Sequence, residues 1–111
     1  MQVRALAPEE VVKIYGMETY LGFNADVPYV VAGFRREGQR LWAFLDPIGE
    51  VPALPLVKAI KAILNTKHEP VSVVCEKHKY PNAPRLLTLL GFKAVDEMQY
   101  GMRVWTWHRS R

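Results

Sequence analysis

The stretch LVKAIKAIL, residues 56 to 64, limits the folds open to this chain more than any other. Leu56, Ala59, Ile60, Ile63 and Leu64 recur at helical spacing, with Lys58 and Lys61 on the opposite side. An apolar stripe of this kind has to be buried, and the runs on either side, RLWAFLD and PVSVVCE, have the length and composition of strands. The spacing therefore predicts an amphipathic helix packed on a sheet. PVSVVCE is nearly continuous in apolar residues, as expected of a central strand covered on both faces.

The remaining segments fit around this unit. VRAL is a short alternating segment, and APEE places a proline and two acids where a first helical turn favours them. A helix is expected from Pro8, with Val11, Ile14 and Tyr15 on its apolar side, interrupted near Gly16 and ended by Gly22. VPYVVAGF and RLWAFLD flank RREGQ and read as a hairpin. NAPRLLTLLGF reads as a helix with Asn82 as its cap, Leu86, Leu89 and Leu90 inward, and Gly91 as the left-handed residue that ends it. FKAVDEMQY and MRVWTWH follow as two strands joined near Gly101. The order is strand, helix, hairpin, helix, strand, helix and two strands, which calls for a mixed sheet with helices on its faces. The 111 residues show no repeat, linker or low-complexity stretch, so a single domain over 1–111 is expected.

Half the residues are apolar and 23% are charged, which excludes a disordered chain. Cys75 is the single cysteine, so no internal disulfide forms and a reducing compartment suits it. No apolar run approaches the ~20 residues of a spanning helix, and MQVRALAPEE lacks the apolar core of a signal peptide. A cytoplasmic protein without membrane contact is expected. The net charge is +4, but Lys58, Lys61, Lys67, Lys77, Lys79, Arg103, Arg109 and Arg111 are dispersed among other residues and read as solvated surface. No groove-reading module accompanies them, so nucleic acid is not expected as a partner.

VRALAPEEVVKI resembles the opening of GNAT-type N-acetyltransferases, in which an Arg-containing first strand leads into a helix started by proline and acidic residues. NAPRLLTLLGFKAVDE is similar to their closing helix and following strand, with Gly91-Phe92 at the matching place. The element order between these ends fits as well. The resemblance implies an α/β fold of the α+β kind: one GNAT-like domain with a mixed, mostly antiparallel sheet of six or seven strands and helices on both faces. It also implies acetyl-CoA as the cofactor, held around Asp46, Ile48, Gly49, Lys58, Asn82 and Arg85.

Two segments depart from the family pattern. The family holds pyrophosphate on a Gly-rich loop at a helix start, where backbone N–H groups and the helix dipole favour an anion. The corresponding DPIGEVPALPLVKAI offers Gly49, then Glu50, with Pro52 and Pro55 unable to donate. A carboxylate there repels phosphate, so acetyl-CoA is expected to bind weakly or not at all. The family's tyrosine four residues before the glycine, which protonates the departing thiolate, is Leu87 here. Ala83 keeps the family's small residue, whereas the family's asparagine eleven residues before the glycine is Tyr80.

The residues left to carry chemistry lie after PVSVVC. Glu76, His78 and Tyr80 are candidate acid and base groups at the mouth of the cleft that the resemblance implies. His68, Cys75 and His78 match no familiar zinc spacing, and no metal site is expected. Cys75 reads as a buried thiol. Two functions remain. The first is a binding protein like the compact GNAT-like proteins of tailed bacteriophages, acting on a host or virion protein, with self-association or a partner contact through Trp105, Trp107 and Arg109. The alternative is an acetyltransferase that moves an acetyl group to an amine.

Overall fold

A computed structural model of the chain describes residues 2–5, 18–24, 27–47, 53–76 and 80–109. The helix expected from Pro8, and the candidate positions Ile48, Gly49 and His78, lie outside the described residues. The fold divides into two compact units, Met1–Leu56 and Val57–Arg111.

The first unit is an antiparallel meander of β1 (Gln2–Ala5), β2 (Glu18–Asn24), β3 (Val27–Glu37) and β4 (Arg40–Pro47), each strand paired with the next. The hairpin expected around RREGQ is β3 and β4. Strand β2 replaces the helix remnant expected up to Gly22. Gly22 lies within the strand, opposite Val3 and Val30, and the register shifts immediately after it. Thr19, Tyr20, Leu21 and Phe23 favour a pleated strand, and tight pairing on both sides is compatible with a glycine beside a bulge. Val30, Phe34 and Leu41 share one face and are buried, while Thr19 is buried on the other.

The second unit contains most of α1 (Ala53–Leu64), then β5 (Val71–Cys75), α2 (Ala83–Leu90), β6 (Lys93–Gln99) and β7 (Met102–Trp107). Strand β7 lies between β5 and β6 and is antiparallel to both. Helix α1 buries Leu56 and Leu64 and exposes Lys58 and Lys61, as its periodicity requires. In β5 the consecutive residues Val71 and Ser72 are both buried, so both faces of the strand are covered.

Helix α2 corrects one phase and confirms one end. Leu87 and Leu90 are buried and Leu86 is half-buried, whereas Leu89, expected inward, is 50% exposed. Residues 86, 87 and 90 form one helical side, and 89 falls off it by the 3.6-residue period. Asn82 occupies the cap position, but its side chain makes no capping bond. At the other end Gly91 has φ 97, its N–H donates to the Thr88 carbonyl at 3.1 Å, and the Phe92 N–H donates to the Leu87 carbonyl at 2.9 Å. This pair of bonds is the Schellman arrangement, with Phe92 and Leu87 both buried beside it. A Cβ on Gly91 would stand 3.5 Å from the Trp107 ring, an ordinary contact, so the demand for glycine is conformational. Gly91→Val is expected to lower the unfolding free energy by about 1–2 kcal/mol, read as an earlier midpoint in urea. A midpoint equal to the parent's would refute a conformational demand at the helix end.

Candidate functional site

Four candidate residues of the second unit, Glu76, Tyr80, Asn82 and Arg85, follow the carboxyl end of β5 in the chain. Cys75 ends the strand and is buried, and Glu76 follows it on the surface. The Tyr80 N–H donates to the Glu76 carbonyl at 2.9 Å. That bond draws the Glu76 and Tyr80 backbones together, with Tyr80 half-buried. The Ala83 N–H donates to the Tyr80 carbonyl at 3.0 Å, so the chain passes from Tyr80 directly into α2. Asn82 and Arg85 stand exposed at the start of that helix. Glu76, Tyr80 and Asn82 thus lie between β5 and α2, and Arg85 lies in the first turn of α2.

The other candidates are not part of this turn. Lys58 is exposed on α1, and Asp46 is exposed near the end of β4, opposite Val31. Leu87, at the family's tyrosine position, is 9% exposed and belongs to the packed side of α2. No acidic residue stands in the first turn of α1, but Pro55 withholds one N–H there.

The fold adds a residue that the sequence alone does not single out. Arg103 lies opposite Cys75 on one side and Met98 on the other, which puts all three on one face. Its Nη1 donates to the Val95 carbonyl at 3.0 Å and lies 3.8 Å from an Asp96 carboxylate oxygen. These interactions span the irregularity in β6 between Ala94 and Met98. The only signal for it in the sequence is the alternation of MRVWTW, which fixes the face of Arg103 once the register is known.

In the first unit the Tyr20 hydroxyl donates to Glu18 Oε2 at 2.7 Å. Burial, reinforced by this bond and by the nearby carboxylate, pushes the phenol up to about 12. Tyr20 therefore remains a proton-bearing donor at neutral pH.

Of the residues weighed as zinc ligands, His68 precedes β5 and Cys75 ends it, while His78 lies outside the described residues. His68 Nδ1 accepts a bond of 2.7 Å from Arg109 Nη1, beyond the opposite end of β5 from Glu76. Among the described residues no group of three His, Cys, Asp or Glu side chains could hold a metal ion. Trp107 is buried at the end of β7, while Trp105 is half-buried, with an indole N–H that has no partner among the described residues. Among the described residues no helix is long and apolar enough to cross a membrane.

No protein-family model matches the sequence, and no curated protein matches it. Solved structures do resemble the fold. One is a protein assigned to the GnaT acetyltransferase family from Bordetella pertussis, at TM-score 0.60 and 18% identity over 88% of this chain and 68% of that one. The fold is that of the GNAT acetyltransferases. An assigned acetyltransferase from Salmonella typhimurium, solved with its cofactor acetyl-CoA, matches at TM-score 0.57 and 15% identity over 87% of this chain and 66% of that one. An assigned GNAT-family acetyltransferase from Bacteroides thetaiotaomicron matches at TM-score 0.59 and 10% identity over 100% of this chain and 89% of that one. The present chain thus spans about two thirds of the first two GNAT structures. The α+β class and the antiparallel pairing expected from the sequence agree with this likeness.

Proposed function

We propose that this GNAT-like chain is an acetyl-CoA-dependent N-acetyltransferase acting on an amine in the cytoplasm. The observation that carries the reading is the likeness of fold, over 87% of the chain, to a structure solved with acetyl-CoA. Lys58 and Arg85, both exposed, would hold the phosphates by charge where the loop sequence withholds backbone donors. The cofactor supplies an activated acyl thioester. The reaction joins the amine nitrogen to the acyl carbon and breaks the carbon–sulfur bond. Glu76 accepts the proton that the amine must lose, and the Tyr80 hydroxyl supplies one to the departing sulfur.

Calorimetric titration with acetyl-CoA and with CoA tests the assignment. Saturable heat is expected from the parent, with affinity falling at least roughly tenfold in Lys58→Glu, because a charge-assisted hydrogen bond is worth about 1.5–3 kcal/mol. Absence of heat from the parent at millimolar ligand would overturn it.

A second reading is favoured by Leu87. A buried leucine at the family's tyrosine position suits a chain that keeps the fold and binds a protein instead. Such a chain would resemble the compact phage proteins that act on host or virion components, with Trp105 and the exposed Arg109 at the contact. In that case the titration with CoA stays silent.

A further inference from the structure

The β6–β7 hairpin is irregular in its ladder and strained in its turn. Lys93 pairs with Thr106 and Ala94 with Trp105, but the next pairs are Met98 with Arg103 and Gln99 with Met102. Val95, Asp96 and Glu97 therefore stand against Val104 alone, a surplus of two residues over a regular ladder. Tyr100 and Gly101 close the hairpin with φ 53 and φ 74, as in a type I′ turn. That backbone suits glycine or asparagine, and a bulky residue adopts it only under strain. Burial of the ring does not offset the strain, since Tyr100 is 84% exposed.

A slip of two residues removes both features. With Lys93 and Ala94 kept in place, a regular register sets Val95 against Val104, Asp96 against Arg103 and Glu97 against Met102. Met98 to Gly101 then form a four-residue loop, a length commonly built around a type I turn, which needs no left-handed residue at its centre. Every side chain keeps its face, because strand alternation has a period of two. Half-buried Val95 gains the fully buried Val104 as its cross-strand neighbour. The Asp96 carboxylate, already 3.8 Å from Arg103 Nη1, comes directly opposite that residue. The observed ladder has four pairs, and the slipped one, from Lys93 to Glu97, has five. The observed register is favoured by its tight turn, whose twist matches that of the strands, and by Arg103, which donates to the Val95 carbonyl at 3.0 Å within the irregular stretch.

We infer that this hairpin is a two-state device in which the tip half of β6 slips by two residues along β7. The two registers differ by a few weak contributions of opposite sign, so both are populated. The turn lies past the Met102 end of β7, and Arg103 pairs with Cys75. It therefore projects at the end of β5 from which the chain leaves through Glu76. Slippage replaces a tight turn there by a loop that carries Met98 and Tyr100. The device rests on strand register alone and holds whether or not the chain transfers acetyl groups.

Saturation-transfer and relaxation-dispersion NMR of the backbone amides, which detect slow exchange with a minor form, test the slip. In the parent, exchange is expected from Val95 to Val104, while Lys93, Ala94, Trp105 and Thr106, which keep their partners in both registers, stay quiet. Tyr100→Gly relieves the turn and should lower the slipped population about five- to thirtyfold. Gly101→Val forces a β-branched residue to positive φ and should act in the opposite direction, making the slipped register the major one. Cross-strand nuclear Overhauser contacts between Glu97 and Met102 should then replace those between Gln99 and Met102. Unfolding does not exchange one set of cross-strand contacts for another. The inference is overturned if Gly101→Val keeps the contacts between Gln99 and Met102, or if Tyr100→Gly leaves the parent's exchange unchanged. It is also overturned if the parent shows no exchange from Val95 to Gln99, or exchange spread evenly over β5, β6 and β7.

Discussion

Trp107→Ala is expected to lower the unfolding free energy by about 3–5 kcal/mol, enough to remove a large part of the stability of a chain this size. Trp107 is 6% exposed and lies opposite Val71, which is 0% exposed. Its ring also lies beside Gly91. Truncation would leave a cavity bounded by β5 and the end of α2, two regular elements with little freedom to collapse into it. Urea denaturation measures the loss, and mass in solution should be followed alongside it. A folded variant with unchanged midpoint and no association would instead make Trp107 a contact residue. Its burial already argues for the core.

Gly33→Val is expected to destabilise by about 3 kcal/mol, for a different reason. Gly33 does not have a left-handed backbone; its constraint is space. A Cβ there would run into the backbone carbonyl oxygen of Glu18 and stand 2.7 Å from the Phe44 ring. The oxygen belongs to the β2–β3 ladder, where Thr19 pairs with Gly33, so it cannot turn away without breaking the pairing. Relief requires β3 to lift from β2 and Phe44 to leave its position. A melting temperature equal to the parent's would show that the strands part at this point without cost, which tight pairing forbids.

The elements legible in the sequence were those whose signals were local and agreed with each other. Gly91 after a leucine-rich helix, the hairpin around RREGQ, and the continuous run of β5 each combined periodicity with a punctuating residue. Strand β2 was hidden because Gly16 precedes it and Gly22 lies within it, and glycine marks a helix end as readily as a bulge in a strand. Leu89 was misplaced because four leucines in five positions leave the phase of a short helix undetermined until its packed side is seen. Glu76, Tyr80, Asn82 and Arg85 could be named as candidates from the sequence, but the bond between the Tyr80 N–H and the Glu76 carbonyl could not, since it belongs to the backbone. Arg103 was out of reach for a similar reason. Its place opposite Cys75 depends on a register between strands separated by a helix and a further strand.

That same register governs the order in which the protein can assemble. The β2–β3 and β3–β4 ladders begin at Asn24 with Val27 and at Glu37 with Arg40, so each closes a very short loop. The β5–β7 ladder pairs Cys75 with Arg103 and must first enclose α2 and β6. Closure entropy grows with the length enclosed, and distant pairings form late. On a ribosome the meander is complete before β7 has been made, while β5 has emerged with its β7-facing edge still open. Val71 to Val74, three valines and one serine of strand propensity, is therefore a stretch for which nascent chains compete with the native partner until Trp107 has left the exit tunnel.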